Sequence, residues 1–246
     1  MLLAIALLAL PLAPGCGGGE AGRVDLTVFA AASLTDAFTA LGEEFTAAHP
    51  DITVVFSFAG SQQLVAQLQQ AAPADVLATA DTKTMDTVAD LTTPSEIFAG
   101  NKLAIAVAAG NPDGITSLDD LAREDLTVVL AAPEVPAGKY AQEILDDAGV
   151  TVRPVSLEES VKGVVTKVSL GEADAGIAYV TDVAAALGEI DGVEIPEEMN
   201  VVATYPIAVV TASENADAAR AFVDFILSSQ GRQVLQDYGF LPPGPS

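Results

Sequence analysis

Leu26-Thr-Val-Phe-Ala-Ala-Ala-Ser33-Leu34 and Thr53-Val-Val-Phe-Ser-Phe-Ala-Gly-Ser61-Gln-Gln-Leu64 are two copies of one local design. In each, a β-branched and aromatic run ends in small residues, and a serine then stands at the first position of an amphipathic helix. Leu34, Phe38, Leu41 and Phe45 recur at helical spacing after the first serine, and Leu64, Val65 and Leu68 after the second. A helix start leaves backbone N–H groups without partners and carries the positive end of the macrodipole, so it attracts oxyanions. Two such starts, each with a hydroxyl, make a small-anion receptor the leading expectation.

The alternation continues outward from these copies. Residues 73–80 read as a third strand and about 82–91 as the helix after it. Residues 103–108 are an unbroken apolar strand expected to cross between lobes. Further strands are expected at 127–130, 175–180 and 205–211. Helices are expected at 137–148, from Ser160 onward, and at 216–227 and 230–238. Strands alternating with ten-residue helices predict an α/β fold of mostly parallel sheets flanked by helices, in which ligands bind at the carboxyl ends of strands. Ser33 and Ser61 sit at such ends.

A chain of 246 residues has room for two lobes, and a composition that is 50% hydrophobic suits a folded globule. The 34 acidic against 10 basic residues give a formal charge of -24, and the lysines and arginines form no stripe, which argues against nucleic acid as a partner. Such a charge reads as a solvated surface. Residues 2–12 are almost purely apolar, too short to span a bilayer but the right length for a signal-peptide core. Cys16, the only cysteine, follows after Ala13-Pro14-Gly15. A single cysteine excludes an internal disulfide and any multi-cysteine metal site. Its place after the apolar core resembles a bacterial lipobox, so residues 1–16 are expected to be a lipoprotein-type signal, Cys16 the lipid attachment and 17–23 a flexible tether. The mature protein is then expected outside the cytoplasm, held on the outer face of the membrane by a lipid anchor or free in the periplasm.

Seven stretches, in order, carry a resemblance. Val28-Phe-Ala-Ala-Ala-Ser33-Leu-Thr-Asp-Ala37, Phe58-Ala-Gly-Ser61 and Ala72-Pro-Ala-Asp-Val76 resemble the periplasmic molybdate-binding proteins of ABC transporters. The match continues through Pro133-Glu-Val-Pro-Ala137-Gly-Lys-Tyr140, Glu159-Ser-Val161-Lys-Gly163, Gly176-Ile-Ala-Tyr179-Val-Thr-Asp182 and Tyr238-Gly-Phe240. The resemblance implies a two-lobed periplasmic-binding-protein fold, with lobe 1 at 24–102 and 205–246, lobe 2 at 103–204, and the ligand in the cleft. It implies a tetrahedral oxyanion held by neutral donors: hydroxyl and backbone N–H groups of Ser33 and Ser61, backbone N–H groups of Ala137 and Val161, and the phenol of Tyr179. It also implies a monomeric, non-enzymatic receptor without a cofactor. Such a receptor hands molybdate, and tungstate with it, to the membrane permease of an ABC importer and its ATPase. The second serine motif has Gly60 where a serine-rich version would add a hydroxyl.

Other chemistries are weaker readings. A serine hydrolase needs a base, yet the only histidine, His49, ends the first helix, and neither serine lies in Gly-x-Ser-x-Gly. A metal receptor would need a tyrosine or carboxylate cluster, and tyrosines 140, 179, 205 and 238 include no adjacent pair. The nearer alternative is sulfate or another oxyanion on the same scaffold. Asp75 and Asp81 are expected to cap or pack rather than face an anion. Lys139 and Lys162, which flank the second pair of donors, are expected to offset the acidic field for an approaching anion.

Overall fold

The computed structural model describes residues 23–244. The expected signal segment, Cys16 and all of the tether but Arg23 lie outside the described residues. In chain order the elements are β1 (Val24–Ala31), α1 (Thr35–Ala48), β2 (Ile52–Ala59), α2 (Ser61–Gln69), β3 (Val76–Ala78) and α3 (Thr82–Asp86). Then come β4 (Glu96–Asn101), β5 (Leu103–Ala108), β6 (Val128–Ala131), α4 (Pro136–Ala148), β7 (Ser156–Glu158) and α5 (Val161–Ser169). The chain continues with β8 (Ala175–Tyr179), α6 (Val180–Ala185), β9 (Ile190–Glu194), β10 (Ala203–Val209), α7 (Ala216–Leu227) and α8 (Ser229–Asp237).

The strands form two five-stranded sheets, ordered β2-β1-β3-β10-β4 and β7-β6-β8-β5-β9. We call the first sheet with its helices lobe 1 and the second lobe 2. Each sheet is parallel except for one strand, β10 in the first and β5 in the second, which pairs antiparallel with both neighbours. The reversed strands are the two that enter from the other lobe. The parallel strands run toward the cleft, so a chain crossing the cleft must start its next strand there and run away from it. Asn101 ends β4 and Leu103 begins β5, with only Lys102 between them.

Register explains how the two serines meet. β1 pairs with β2 in parallel from Val24↔Ile52 to Ala31↔Ala59. Both strands therefore end at the same edge, and Ser33 and Ser61 emerge side by side. The alternation of β1 buries both faces. Leu26, Val28 and Ala30 join Phe38, Leu41 and Phe45 of α1 on one side. Phe29 joins Leu64, Val65 and Met85 on the other. Phe45 and Phe222 of α7 meet edge-on at 5.2 Å, fixing α7 against α1. Each such side chain, fully buried, contributes roughly 1.5–3 kcal/mol. In lobe 2 the valine stripe of α5 (Val161, Val164, Val165 and Val168) is buried in the same core as Ile105, Val129 and Ile177.

Some elements differ from the sequence expectation. Ser61 is the first residue of α2, but Ser33 lies inside a 3-10 turn, Ala32–Leu34, that leads into α1. The helix expected to reach residue 91 stops at Asp86, after which Val88 and Leu91 close i→i+3 turns. Strands β4, β7 and β9 add to those expected; β7 and β9 form the outer edges of the second sheet.

Candidate functional site

Ser33, Ser61, Ala137, Val161 and Tyr179 line one small cavity between the lobes. They share it with Ala31, Ala32, Gly60, Ala80, Val135, Pro136 and Ser160. None of these described lining residues is charged. About 10 Å3 is open to the centre of a water-sized sphere, room for one very small guest and not for a sugar or an amino acid. Ser61 and Tyr179 are almost completely buried.

Four helix starts face this space: the 3-10 turn before α1, then α2, α4 and α5. Helix starts are usually capped by Ser, Thr, Asp or Asn. Here Ala31, Gly60 and Val135 hold the first three cap positions, and none supplies a side-chain cap. Pro136 opens α4, so Ala137 carries the first N–H of that helix. Ser160 does cap α5, but its oxygen accepts from the Gly163 N–H at 3.3 Å, leaving the Val161 N–H for another acceptor. The cavity is where these helix-start donors would find one.

The serine hydroxyls are held from behind. Ser61 Oγ accepts the Ala80 N–H at 3.1 Å. Ser33 Oγ lies 3.0 Å from the Tyr205 phenol. The Tyr179 hydroxyl is buried and has no hydrogen-bond partner among the described residues. Burial holds its phenol protonated, well above its ordinary range, so it remains a donor. In the sequence Tyr205 is one more tyrosine in a strand. Its link to Ser33 spans 172 positions and has no local signature.

The lobes also touch around the cavity. From α2, the Gln62 amide donates to the Glu159 carbonyl at 2.9 Å, and the Gln63 amide to the Glu159 carboxylate at 2.9 Å. A Cβ on Gly60 would lie 2.5 Å from that Glu159 carbonyl, so the missing side chain permits the approach. Lys139 Nζ reaches Asp81 at 2.9 Å and Thr84 at 2.9 Å in lobe 1. Lys162 Nζ lies 2.9 Å from Asp36 in lobe 1 and 3.5 Å from Asp182 in its own lobe. The two lysines expected to offset the acidic field for an approaching anion are both ion-paired. They act as cross-cleft ties, because each emerges beside a carboxylate of the facing lobe.

Asp182, just beyond Tyr179, is fully buried, and burial raises its carboxyl to about 6 against the pull of Lys162. Asp75 accepts the Thr27 N–H at 2.7 Å and the Ser213 hydroxyl at 2.6 Å, and Asp81 caps α3. Both carboxylates serve local structure. His49 stacks on Phe45 at 4.2 Å and contacts its carbonyl at the end of α1, away from the serines. Two larger grooves, about 760 and 680 Å3, open outside this cavity; the second adjoins it at Ser33 and is also lined by Asp36, Glu43 and Asp237. The first is lined by Asp25, Asp75, Asp90 and Glu214, which would repel an anion.

Residues 26–241 match the family model described as bacterial extracellular solute-binding protein. The chain is 44% identical over 229 residues to the molybdate-binding protein ModA of Mycobacterium tuberculosis, covering 92% of this chain and 88% of that one. Among solved structures, the periplasmic molybdate-binding protein of Azotobacter vinelandii superposes with a TM-score of 0.76 at 19% identity, over 89% of this chain and all of that one. The sulfate-binding protein SubI of Mycobacterium tuberculosis superposes with a TM-score of 0.78 at 22% identity, over 90% of this chain and 88% of that one. The two superpositions establish the shared fold.

Proposed function

Because the chain belongs to the bacterial extracellular solute-binding proteins, and so is a transport component rather than an enzyme, we propose that its cleft captures molybdate, and tungstate with it. The bound anion is delivered to the membrane permease of an ABC importer. Ser33, Ser61 and Tyr179 donate O–H groups, and the helix starts at Ala137 and Val161 donate N–H groups. The lobes in this reading are residues 24–102 with 205–246, and 103–204. Cys16 carries the lipid that keeps the receptor at the outer face of the membrane.

The observation that carries the reading is the cavity itself: small, lined by no charged residue, and faced by four helix starts, three of which lack side-chain caps. A set made only of donors suits a fully deprotonated dianion. Hydrogen phosphate would bring a proton with no acceptor to meet it, and an unpaired buried donor costs about 1–3 kcal/mol. The charge of -24 does not oppose this, because surface charges are screened within roughly 8–10 Å while oriented dipoles act inside a dehydrated cleft. Calorimetric titration with molybdate, tungstate, sulfate and phosphate tests the assignment. Molybdate and tungstate should both bind, and far more tightly than phosphate; sulfate binding tighter than molybdate would overturn it.

A further inference from the structure

Ser61 and Ser33 reach the cavity with different partners behind them. The Ala80 N–H can only donate, so it occupies the Ser61 oxygen and leaves the serine's own hydrogen for the cavity. Ser33 has no N–H behind it. Its partner is the Tyr205 hydroxyl at 3.0 Å, a pair in which either oxygen could donate.

Asn101 decides the direction. Its Oδ1 accepts the Lys102 N–H at 2.9 Å, which fixes the side-chain amide. Its Nδ2 then faces Thr181 Oγ1 at 2.8 Å and the Tyr205 hydroxyl, more distantly, at 3.5 Å. An NH2 group can only donate. The Tyr205 oxygen thus meets a donor on the Asn101 side, distant as it is, which favours turning its own hydrogen toward Ser33, its nearer hydrogen-bonded partner at 3.0 Å. Burial raises the phenol far above its ordinary value, so that hydrogen is retained. Tyr205 lies on β10, where the chain re-enters lobe 1, and does not line the cavity.

We propose that Tyr205 is a positioning residue that fixes the Ser33 hydroxyl as a donor to the bound oxyanion. The inference rests on the oxyanion reading above. It gives the site part of its selectivity, since a Ser33 hydroxyl free to rotate could accept the proton of hydrogen phosphate, whereas one already accepting from Tyr205 turns its hydrogen inward.

Tyr205→Phe keeps the ring, and with it the edge contacts to Phe240 at 5.5 Å and Tyr179 at 5.9 Å, and removes only the hydroxyl. Calorimetry on the wild type, Tyr205→Phe, Ser33→Ala and the double variant forms a cycle. Tyr205→Phe should weaken molybdate binding about tenfold, the loss of one oriented hydrogen bond. It should narrow the preference for molybdate over hydrogen phosphate, and it should add nothing in the Ser33→Ala background. A thermal melt with the wild-type midpoint would separate this from general damage. Unchanged molybdate affinity in Tyr205→Phe, or a loss fully additive to that of Ser33→Ala, overturns the inference alone. A wild-type protein that binds no oxyanion overturns the functional reading as well.

Discussion

The two lobes present the same cavity with different chemistry. Lobe 1 offers hydroxyls, Ser33 and Ser61, each backed by a partner that occupies its oxygen. Lobe 2 offers mainly backbone, the starts of α4 and α5, with the Tyr179 phenol between them. The serine at the start of α5, Ser160, spends its oxygen on the Gly163 N–H. Lobe 1 donors can therefore be removed one atom at a time, whereas the helix starts of lobe 2 can be disabled only by moving a helix.

The comparison breaks hardest at Gly138. A Cβ there would lie 2.1 Å from the Ala132 carbonyl oxygen and 2.5 Å from that of Ala131, both rigid backbone. Gly138→Ala must shift the start of α4, and molybdate affinity should fall more than a hundredfold in titration. The same overpacking should destabilise the fold by about 1–3 kcal/mol in a denaturant melt.

A second difference is the buried carboxylate of lobe 2. Asp182 has its folded-state pKa raised to about 6 from 3.8, so the folded state holds the proton longer than the unfolded one. Its contribution to stability is present below about pH 4, is lost as pH rises through 6, and stays lost above that. Comparing denaturant melts of the wild type and Asp182→Asn isolates this group from the other acids. Relative to the wild type, Asp182→Asn should gain up to about 3 kcal/mol between pH 4 and pH 7. A constant difference across that window would show that Asp182 is ionised throughout.

Smaller changes sharpen the contrast. Ser33→Ala and Ser61→Ala should each weaken molybdate binding at least tenfold while the protein stays folded, and Ser61→Ala should also cost about 1–3 kcal/mol in the melt because it leaves the buried Ala80 N–H unpaired. Ser160→Ala should cost about 1 kcal/mol of stability as a lost helix cap and leave affinity nearly unaltered. Equal behaviour of all three serines in titration would erase the distinction between the lobes.

The sequence made the cage legible and hid its supports. Ser33, Ser61, Ala137 and Val161 follow strands through small residues into helices, a local pattern that periodicity exposes. The same pattern carried a further signal: Ala31, Gly60 and Val135 stand where side-chain caps are usual. Tyr205 was illegible because its role depends on contacts with Ser33 and Asn101, 172 and 104 positions away. The pairing of Lys139 and Lys162 was hidden for the same reason, as their partners Asp81 and Asp36 lie across the cleft. The reversal of β5 and β10 follows from crossing the cleft, a fact of topology that no single strand records.

If the cavity is one site assembled from two half-sites, ligand must bring the halves together. Small-angle X-ray scattering on the wild-type protein, with and without saturating molybdate, measures this directly. The account predicts a smaller radius of gyration with molybdate than without it, and no contraction with hydrogen phosphate at the same concentration. Identical scattering in all three conditions, alongside calorimetric molybdate binding, would contradict a site made by closure.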